Sequence, residues 1–287
     1  MRSLLHTPFT AVLRNEILLG SKRIAPYALI ILFSANAVLW WGWGPAVERG
    51  WATNSDFYIH RNFGGFSFIL GLPIFTAVIM GDSVIRDFRL GIDSLIFSKP
   101  VSRAAYLLGK FFGNFFVLVC CQSAFALTLL FLQFFHPSRM IVLPFRLVPY
   151  FKHFFLVVVI SHVVLAAFYF TVGTLTRNAK IVWALAASFY PLYIAYQKVL
   201  LQNLPQPWRL LLDPLGFNPD QGLDPWHRSA NYLNDYVVSY GSDMIANRVL
   251  IILVTAACLT ILYFRFAIAE RTGKAENFSV LNLSTAA

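Results

Sequence analysis

Long apolar runs alternate with shorter polar breaks along most of the chain. Each run is near the ~20 residues that an α-helix needs to cross ~30 Å of hydrocarbon. Gly71, Pro73 and Pro191 interrupt two of the runs, and neighbouring helices can re-satisfy the backbone groups that such residues free. The pattern predicts an all-α membrane protein with six transmembrane helices, at about residues 24–43, 63–80, 111–135, 154–175, 181–196 and 249–266.

Two helical segments are predicted outside these spans. Residues 10–19 place apolar side chains on one helical side, which is typical of an N-terminal amphipathic helix lying in the membrane interface. The alternative is that they are the first turns of one long helix. Between spans five and six, residues 202–247 form the longest polar segment. Apolar residues recur there at helical spacing over 232–240, and Gly241 can end the helix, which predicts an extracytoplasmic helical segment.

Composition supports the membrane assignment. The chain has 287 residues, of which 58% are hydrophobic and 13% charged, and its mean hydropathy is +0.64. Soluble domains carry about 25% charged residues, so much of the usual solvated surface is missing. The whole chain, residues 1–287, is therefore interpreted as a single transmembrane domain. The net charge of +10 would favour nucleic acid in a soluble protein. Here basic residues flank the spans, and no nucleic-acid partner is expected.

The distribution of basic residues predicts the orientation. With six spans, both termini share a side with the loops after spans two and four, and most of the 23 Lys and Arg residues lie on that side. Cytoplasmic loops of membrane proteins carry an excess of Lys and Arg. We therefore expect a multi-pass protein with both termini in the cytoplasm, and with the charged segment 81–110 on the cytoplasmic side.

The spans contain few groups that could perform chemistry. No Asp or Glu lies in their hydrocarbon part, and His162 is the deepest ionisable residue. We interpret His162 as an interhelical hydrogen-bonding residue, with a proton relay as the alternative. Asn36 has the same interpretation, and a polar lining for a conduit is its alternative. No catalytic residue or metal site is expected, which disfavours a membrane-embedded enzyme and an ion-coupled transporter.

The chain has no nucleotide site of its own. Gly109 and Lys110 resemble the end of a phosphate-binding loop, but Phe111 stands where a Ser or Thr would hold magnesium. If ATP and magnesium power this protein, they are bound by another chain. No cofactor is expected here.

Segment 81–110 separates spans two and three and carries acidic and basic side chains. Its pattern predicts a helix over 83–97 that ends before Pro100, because a residue preceding proline disfavours helix. Ser102 can then cap the helix that leads into span three. Such a helix, held between two spans, could dock a partner. The alternative is a solvated connection whose charges only fix the topology.

The residue order of this segment resembles the cytoplasmic loop of ABC-2 type permeases, the membrane subunits of a class of ATP-binding-cassette exporters. That loop has acidic residues, a turn with Gly, a Leu-rich helix and a closing Ser/Thr-x-Pro-Val-Ser-Arg, Tyr and Gly-Lys series. In this family Glu is usual where Arg89 stands. The matching positions are Asp82, Asp87, Gly91, Leu95, Ser98, Pro100, Val101, Ser102, Arg103, Tyr106, Gly109 and Lys110.

The resemblance implies a permease subunit of an ATP-driven exporter in the bacterial inner membrane, not catalytic by itself. It implies a coupling helix docked on a separate ABC ATPase subunit that binds ATP and magnesium. It also implies a second permease chain, identical or related. A non-transporting membrane anchor or assembly protein is the alternative. The residues that the resemblance assigns to ATPase coupling are Asp82, Asp87, Arg89, Gly91, Leu95, Pro100, Ser102 and Arg103.

In such permeases two copies pair through spans one and five around a central path. Ala184 and Ser188 form a small-xxx-small step on span five, which allows close helix approach, although packing within one subunit is an equal explanation. Tyr190 and Tyr193 follow on the same helix and could line the path. The candidate lining or pairing residues are therefore Asn36, His162, Ala184, Ser188, Tyr190 and Tyr193.

Overall fold

A computed structural model of the protein describes residues 7–70, 73–216 and 223–266, and every regular element in these ranges is helical. Short π-helical turns lie at Phe66–Leu70, Phe154–Val159 and Tyr196–Leu200, and a 3-10 turn lies at Leu201–Asn203. The α-helices are α1 Pro8–Ser21, α2 Ile24–Trp41, α3 Gly44–Glu48, α4 Asp56–Gly65, α5 Pro73–Met80, α6 Ser83–Arg89, α7 Asp93–Phe97, α8 Arg103–Leu132, α9 Val148–His153, α10 Ile160–Thr176, α11 Ala179–Ala195, α12 Gln206–Leu212, α13 Ala230–Asp235 and α14 Ser242–Arg265.

Four helical stretches are long and apolar enough to cross a membrane, namely Ile24–Glu48, Arg103–Leu132, Val148–Thr176 and Ser242–Arg265. A fifth results if Asp56–Phe68 and Pro73–Arg89 are one span, bent by 59° between them. These stretches confirm an all-helical integral membrane protein. They coincide with predicted spans one, three, four and six, and the bent pair with span two.

The fifth predicted span, 181–196, coincides with α11, a helix of 17 residues that is not among the four stretches. It is shorter than those stretches, which have 24 to 30 residues. The six-span layout therefore stays a prediction.

Helices α8 and α10 organise the bundle. Helices α1 and α2 pack along α8, whereas α5, α11 and α14 pack around α10. Aromatic rings fill the space between them, and Phe66 stacks on Phe125 with ring centroids 4.1 Å apart. Phe33 meets the edge of Phe66 at 5.0 Å. Such pairs add about 0.5–1.5 kcal/mol beyond their burial, so they help to fix the mutual position of α2, α8 and the π-helical turn that follows α4.

The amphipathic N-terminal segment is a helix separate from span one. Thr7 caps α1, accepting a hydrogen bond from the Thr10 backbone N–H at 3.3 Å. Arg23 is extended, with φ −91° and ψ 150°, and it separates α1 from α2. The alternative of one continuous helix is therefore wrong.

Glycines on α8 let α1 approach closely. A Cβ at Gly109 would lie 2.8 Å from Val12 Cβ, and a Cβ at Gly113 would lie 2.7 Å from Glu16 Cβ. The two glycines are one turn apart, so they form a single groove into which α1 fits. This groove brings the charged residues of α1 against α8.

Two local predictions are wrong. The helix expected over 83–97 is two helices, because the chain turns at Gly91, whose φ is +67°. The helix expected over 232–240 ends at Asp235. The extended segment beyond it is held by tertiary contacts, since the Val238 backbone N–H donates to Asp56 Oδ2 at 2.7 Å. Hydrogen bonds with residues distant in the sequence therefore override the helical pattern of this segment.

Candidate functional site

The segment of α6 and α7 is fixed to the bundle by four charged residues, here called the four-charge cluster: Glu16, Arg86, Asp87 and Lys110. Lys110 Nζ lies 2.6 Å from Glu16 Oε1 and 2.9 Å from Asp87 Oδ2. Arg86 Nη2 lies 3.1 Å from Glu16 Oε2. Two carboxylates thus face two cations, and the cluster joins α1, α6 and α8.

Neutral groups complete the hydrogen bonding of the cluster. The Tyr106 hydroxyl donates to Asp87 Oδ2 at 2.8 Å, and Asn114 Nδ2 donates to Glu16 Oε2 at 3.0 Å. Lys110 also donates to the Ser83 carbonyl oxygen at 2.9 Å. Buried ions are tolerated only when paired and fully hydrogen-bonded. The cluster meets both conditions.

The charge of Glu16 is maintained by its partners. Burial raises the pKa of the Glu16 carboxyl, but Lys110, Arg86 and Asn114 together outweigh this effect, with Lys110 contributing most. The pKa of Glu16 therefore lies below its ordinary value of 4.5. Glu16 stays ionised at neutral pH although its side chain is 2% exposed.

The other side of the α6–α7 segment is exposed and largely apolar. Leu90 and Leu95 are 62% and 65% exposed, and Ile92 is also exposed. Arg89 and Asp82 flank this surface and pair at 3.4 Å. Gly91 forms the turn between the two helices. An apolar surface that projects beside partly exposed charges is typical of a protein contact. We call Leu90, Ile92 and Leu95 the apolar turn.

The residues predicted for ATPase coupling therefore occupy two kinds of place. Asp87 is buried in the four-charge cluster and does not reach the surface, whereas Arg89, Leu95 and Pro100 are exposed. Ser102 Oγ accepts the Ala105 backbone N–H at 3.2 Å, which confirms it as the cap of α8. Of the other three residues in this set, Asp82 precedes α6 and Gly91 forms the turn between α6 and α7. Arg103 donates to the Tyr263 carbonyl oxygen at 3.2 Å.

Sequence reasoning missed the partners that fix this segment. Glu16 lies on a helix that no sequence pattern places beside Asp87, and Asn114 lies inside predicted span three. One signal was available: Glu16 is an acidic residue next to apolar Ile17 and Leu18. A buried carboxylate requires a cation, and Lys110 at the start of an apolar run is a matching signal.

The candidate path residues are placed among the spans. His162 is buried, and its Nδ1 lies 2.6 Å from Gln122 Nε2 while its Nε2 lies 3.2 Å from Ser67 Oγ. It links three helical segments, as an interhelical hydrogen-bonding residue does. Asn36 is buried on α2.

The candidates on α11 divide between its two faces. The hydroxyl of Tyr190 donates to the Phe68 carbonyl oxygen at 2.9 Å, and that of Tyr193 donates to Asp213 Oδ1 at 2.9 Å. Both tyrosines thus contact their own chain. Ala184 is exposed, and Ser188 is half-buried and donates to the Ala184 carbonyl oxygen at 2.6 Å.

A second polar cluster lies at the opposite end of the bundle. Asp56 Oδ1 lies 2.8 Å from His153 Nε2, and Lys152 Nζ lies 2.9 Å from Asp56 Oδ2. The Tyr240 hydroxyl bridges His153 and His60. Burial and the nearby Asp56 carboxylate raise the pKa of this hydroxyl. No group of three or more His, Cys, Asp or Glu in the described ranges could hold a metal ion. The cluster fastens residues 236–241 to α4 and α9.

The chain matches the family model of the ABC-2 family transporter protein over residues 9–271. The match covers nearly the whole chain, and the chain belongs to this family. It is accordingly a transporter permease of the membrane and not itself an enzyme. Membership implies association with an ABC ATPase. No curated protein matches the chain.

Proposed function

We propose that this chain is the membrane-spanning subunit of an ATP-driven exporter and receives energy from a separate ATPase through α6 and α7. One observation carries the proposal: the apolar turn is exposed, while the opposite side of the same segment is anchored by the four-charge cluster. The predicted orientation puts this segment in the cytoplasm. ATP and magnesium belong to the partner subunit in this proposal.

The anchored side makes the segment a mechanical input. Displacement of the apolar turn would move Asp87, which is paired with Lys110 on α8, and Lys110 is paired with Glu16 on α1. The displacement would therefore reach α8 and α1. A flexible connection would absorb the same displacement by local bending. The pairs are short and nearly inaccessible to water, so the cluster can transmit motion as one unit. A segment that served only as a solvated connection would not require such an anchor.

The proposed exporter contains two permease chains. On α11, Ala184 and Ile194 are exposed, and on α2 Ile31 and Leu39 are exposed. These faces are apolar and lack a partner from the described part of the chain. A second copy would cover them and enclose a path between the two subunits.

The docking role can be tested by charging the apolar turn. We expect Leu95→Asp to abolish co-purification with the ABC ATPase and the permease-dependent part of its ATP hydrolysis. The thermal stability of the variant should be unchanged, because Leu95 is exposed. Val237→Asp is the matched control, since Val237 is 59% exposed at the opposite end of the bundle. Normal assembly and hydrolysis with Leu95→Asp would refute the docking surface.

A second measurement separates an exporter from a membrane anchor that only recruits the ATPase. Ser188 is half-buried on α11, the helix that faces the proposed path. In proteoliposomes with the ATPase bound, ATP should change the rate at which a thiol reagent labels the Ser188→Cys variant. An anchor would bind the ATPase and show the same labelling rate with and without ATP.

A further inference from the structure

A cleft opens beside the four-charge cluster, on the side of α6 that faces α2 and α11. It has a volume of about 530 Å³. Its walls come from the start of α2, the end of α5, α6 and the start of α11. The cleft is distinct from the apolar turn, and neither the family match nor the coupling proposal assigns it a role.

The charged wall of the cleft is basic. Among the described residues, its lining includes Arg23, Arg86 and Arg89 and one carboxylate residue, Asp82. Arg86 is engaged by Glu16, and Arg89 lies 3.4 Å from Asp82. Glu16 neutralises Arg86 and Asp82 neutralises Arg89, so Arg23 supplies the excess positive charge among the described residues that line the cleft, and the cleft favours an anion. Guanidinium groups match the oxygens of phosphate well.

The facing wall is apolar. It includes Ala77, Val182 and Trp183, and Trp183 is 48% exposed. The backbones are close at the base of the cleft, since a Cβ at Gly81 would lie 2.6 Å from Val182 Cγ1. A small soluble anion would gain no binding energy from this apolar wall. A ligand with a phosphate at one end and hydrocarbon at the other would use both walls.

We propose that this cleft binds an anionic phospholipid of the cytoplasmic leaflet. The phosphate lies between Arg23 and Arg89, and the glycerol and the start of one acyl chain lie along Ala77 and Trp183. The assignment rests on the proposed orientation, which puts the cleft at the cytoplasmic surface, where anionic lipids are concentrated. The cleft volume is within the range of about 300–1,000 Å³ that is usual for small-molecule sites.

A lipid bound in this cleft would affect the coupling segment. Arg86 lines the cleft and also holds Glu16, and Arg89 lies on α6 next to the apolar turn. An anion in the cleft would attract both side chains and alter the charge around α6. Lipid composition would then modulate the position of the segment that the ATPase engages.

Binding can be measured on the full-length protein without any ATPase. Native mass spectrometry, after addition of phosphatidylglycerol or phosphatidylcholine, counts bound lipids and gives their relative affinities. We expect preference for phosphatidylglycerol. Arg23→Gln and Arg89→Gln should each weaken the affinity for phosphatidylglycerol by about fivefold, as expected for ~1 kcal/mol per basic residue near an anionic lipid surface. Arg23→Lys and Arg89→Lys should retain most of the binding.

Arg14→Gln is the matched control, because Arg14 is exposed on α1 and lies outside the cleft. Equal binding of both lipids by the wild type would overturn the proposal. The proposal would also be overturned if Arg14→Gln lowered the affinity for phosphatidylglycerol as much as the cleft variants do. Binding would then depend on the general positive charge of the protein surface. Displacement of phosphatidylglycerol by millimolar inorganic phosphate would show a soluble-anion site instead. Because no ATPase is present, these outcomes are independent of the coupling test with Leu95→Asp.

Discussion

At the scale of single residues, the contact between Glu16 and Lys110 decides how the charged segment is held. Both side chains are nearly inaccessible, and their charged atoms are 2.6 Å apart. Removing an ion from water costs several kcal/mol, and attraction repays this only when geometry and hydrogen bonding are good. We expect the contact to contribute less to net stability than to specificity, because a different packing of α1, α6 and α8 would leave a buried charge unpaired.

Neutralising Glu16 should destabilise the protein strongly. Glu16→Gln keeps the shape but leaves Lys110 and Arg86 to share Asp87, and removing one partner of a buried pair costs about 3–5 kcal/mol. We expect a clear fall in the melting temperature of the purified protein in detergent. Asp224→Asn is the control, because the Asp224 and His227 pair is exposed. Equal, small effects of both substitutions would show that the cluster adds nothing to folding.

The same residue predicts a dependence on pH. The pKa of Glu16 is lower in the folded protein than its ordinary value of 4.5, so its ionised form stabilises the fold above that pH. The contribution is lost as pH falls from 4.5 through the lower folded value. We expect the stability of wild type and of Glu16→Gln to converge over that range. A difference that stays constant down to acid unfolding would contradict this.

At the scale of elements, the groove of α8 positions α1. A Cβ at Gly113 would lie 2.7 Å from Glu16 Cβ and 3.0 Å from the Leu13 carbonyl oxygen, and a backbone atom cannot move aside easily. Gly113→Ala should therefore push α1 away and cost about 1–3 kcal/mol, as overpacking does. Thermal unfolding measures the loss. Gly241→Ala is the control and should leave the thermal stability nearly unchanged, because nothing lies within 4 Å of its added Cβ.

The turn between α6 and α7 depends on backbone conformation alone. Gly91 has φ +67°, and no atom lies within 4 Å of a Cβ added there. Left-handed backbone costs other residues roughly 1–2 kcal/mol, and Asn tolerates it best. On the proposed function, Gly91→Val should reduce permease-dependent ATP hydrolysis, and Gly91→Asn should retain most of it. If the Val variant hydrolysed ATP like the wild type, the shape of this turn would be irrelevant to coupling.

At the scale of the whole molecule, the unpartnered face of α11 predicts where a second copy lies. We expect Ala184→Cys to form a disulfide-linked dimer under mild oxidation in membranes, after Cys120, Cys121 and Cys258 are replaced by Ala. Denaturing electrophoresis measures the dimer. Phe116→Cys is the control, because Phe116 is 53% exposed on α8. Equal crosslinking at both positions would mean random collision and not a defined interface.

Much of the architecture was predictable because it depends on local composition. Apolar runs marked the spans that coincide with α2, α8, α10 and α14, and Ser102 marked the start of α8. The failures came where distant residues decide the conformation. Residues 236–241 are extended because Asp56 accepts the Val238 backbone N–H at 2.7 Å, and no pattern within 232–240 contains that information.

The family and the charged segment 81–110 were determined by the sequence alone, because span length, charge placement and residue order are properties of the chain. The tertiary structure decided what each residue of that segment does. Asp87 faces inward and Leu95 outward because α1 lies in the groove of Gly109 and Gly113. That groove brings Glu16 to Lys110, 94 residues further along the chain. Pairing of buried charges requires such proximity in space, and only the folded bundle provides it.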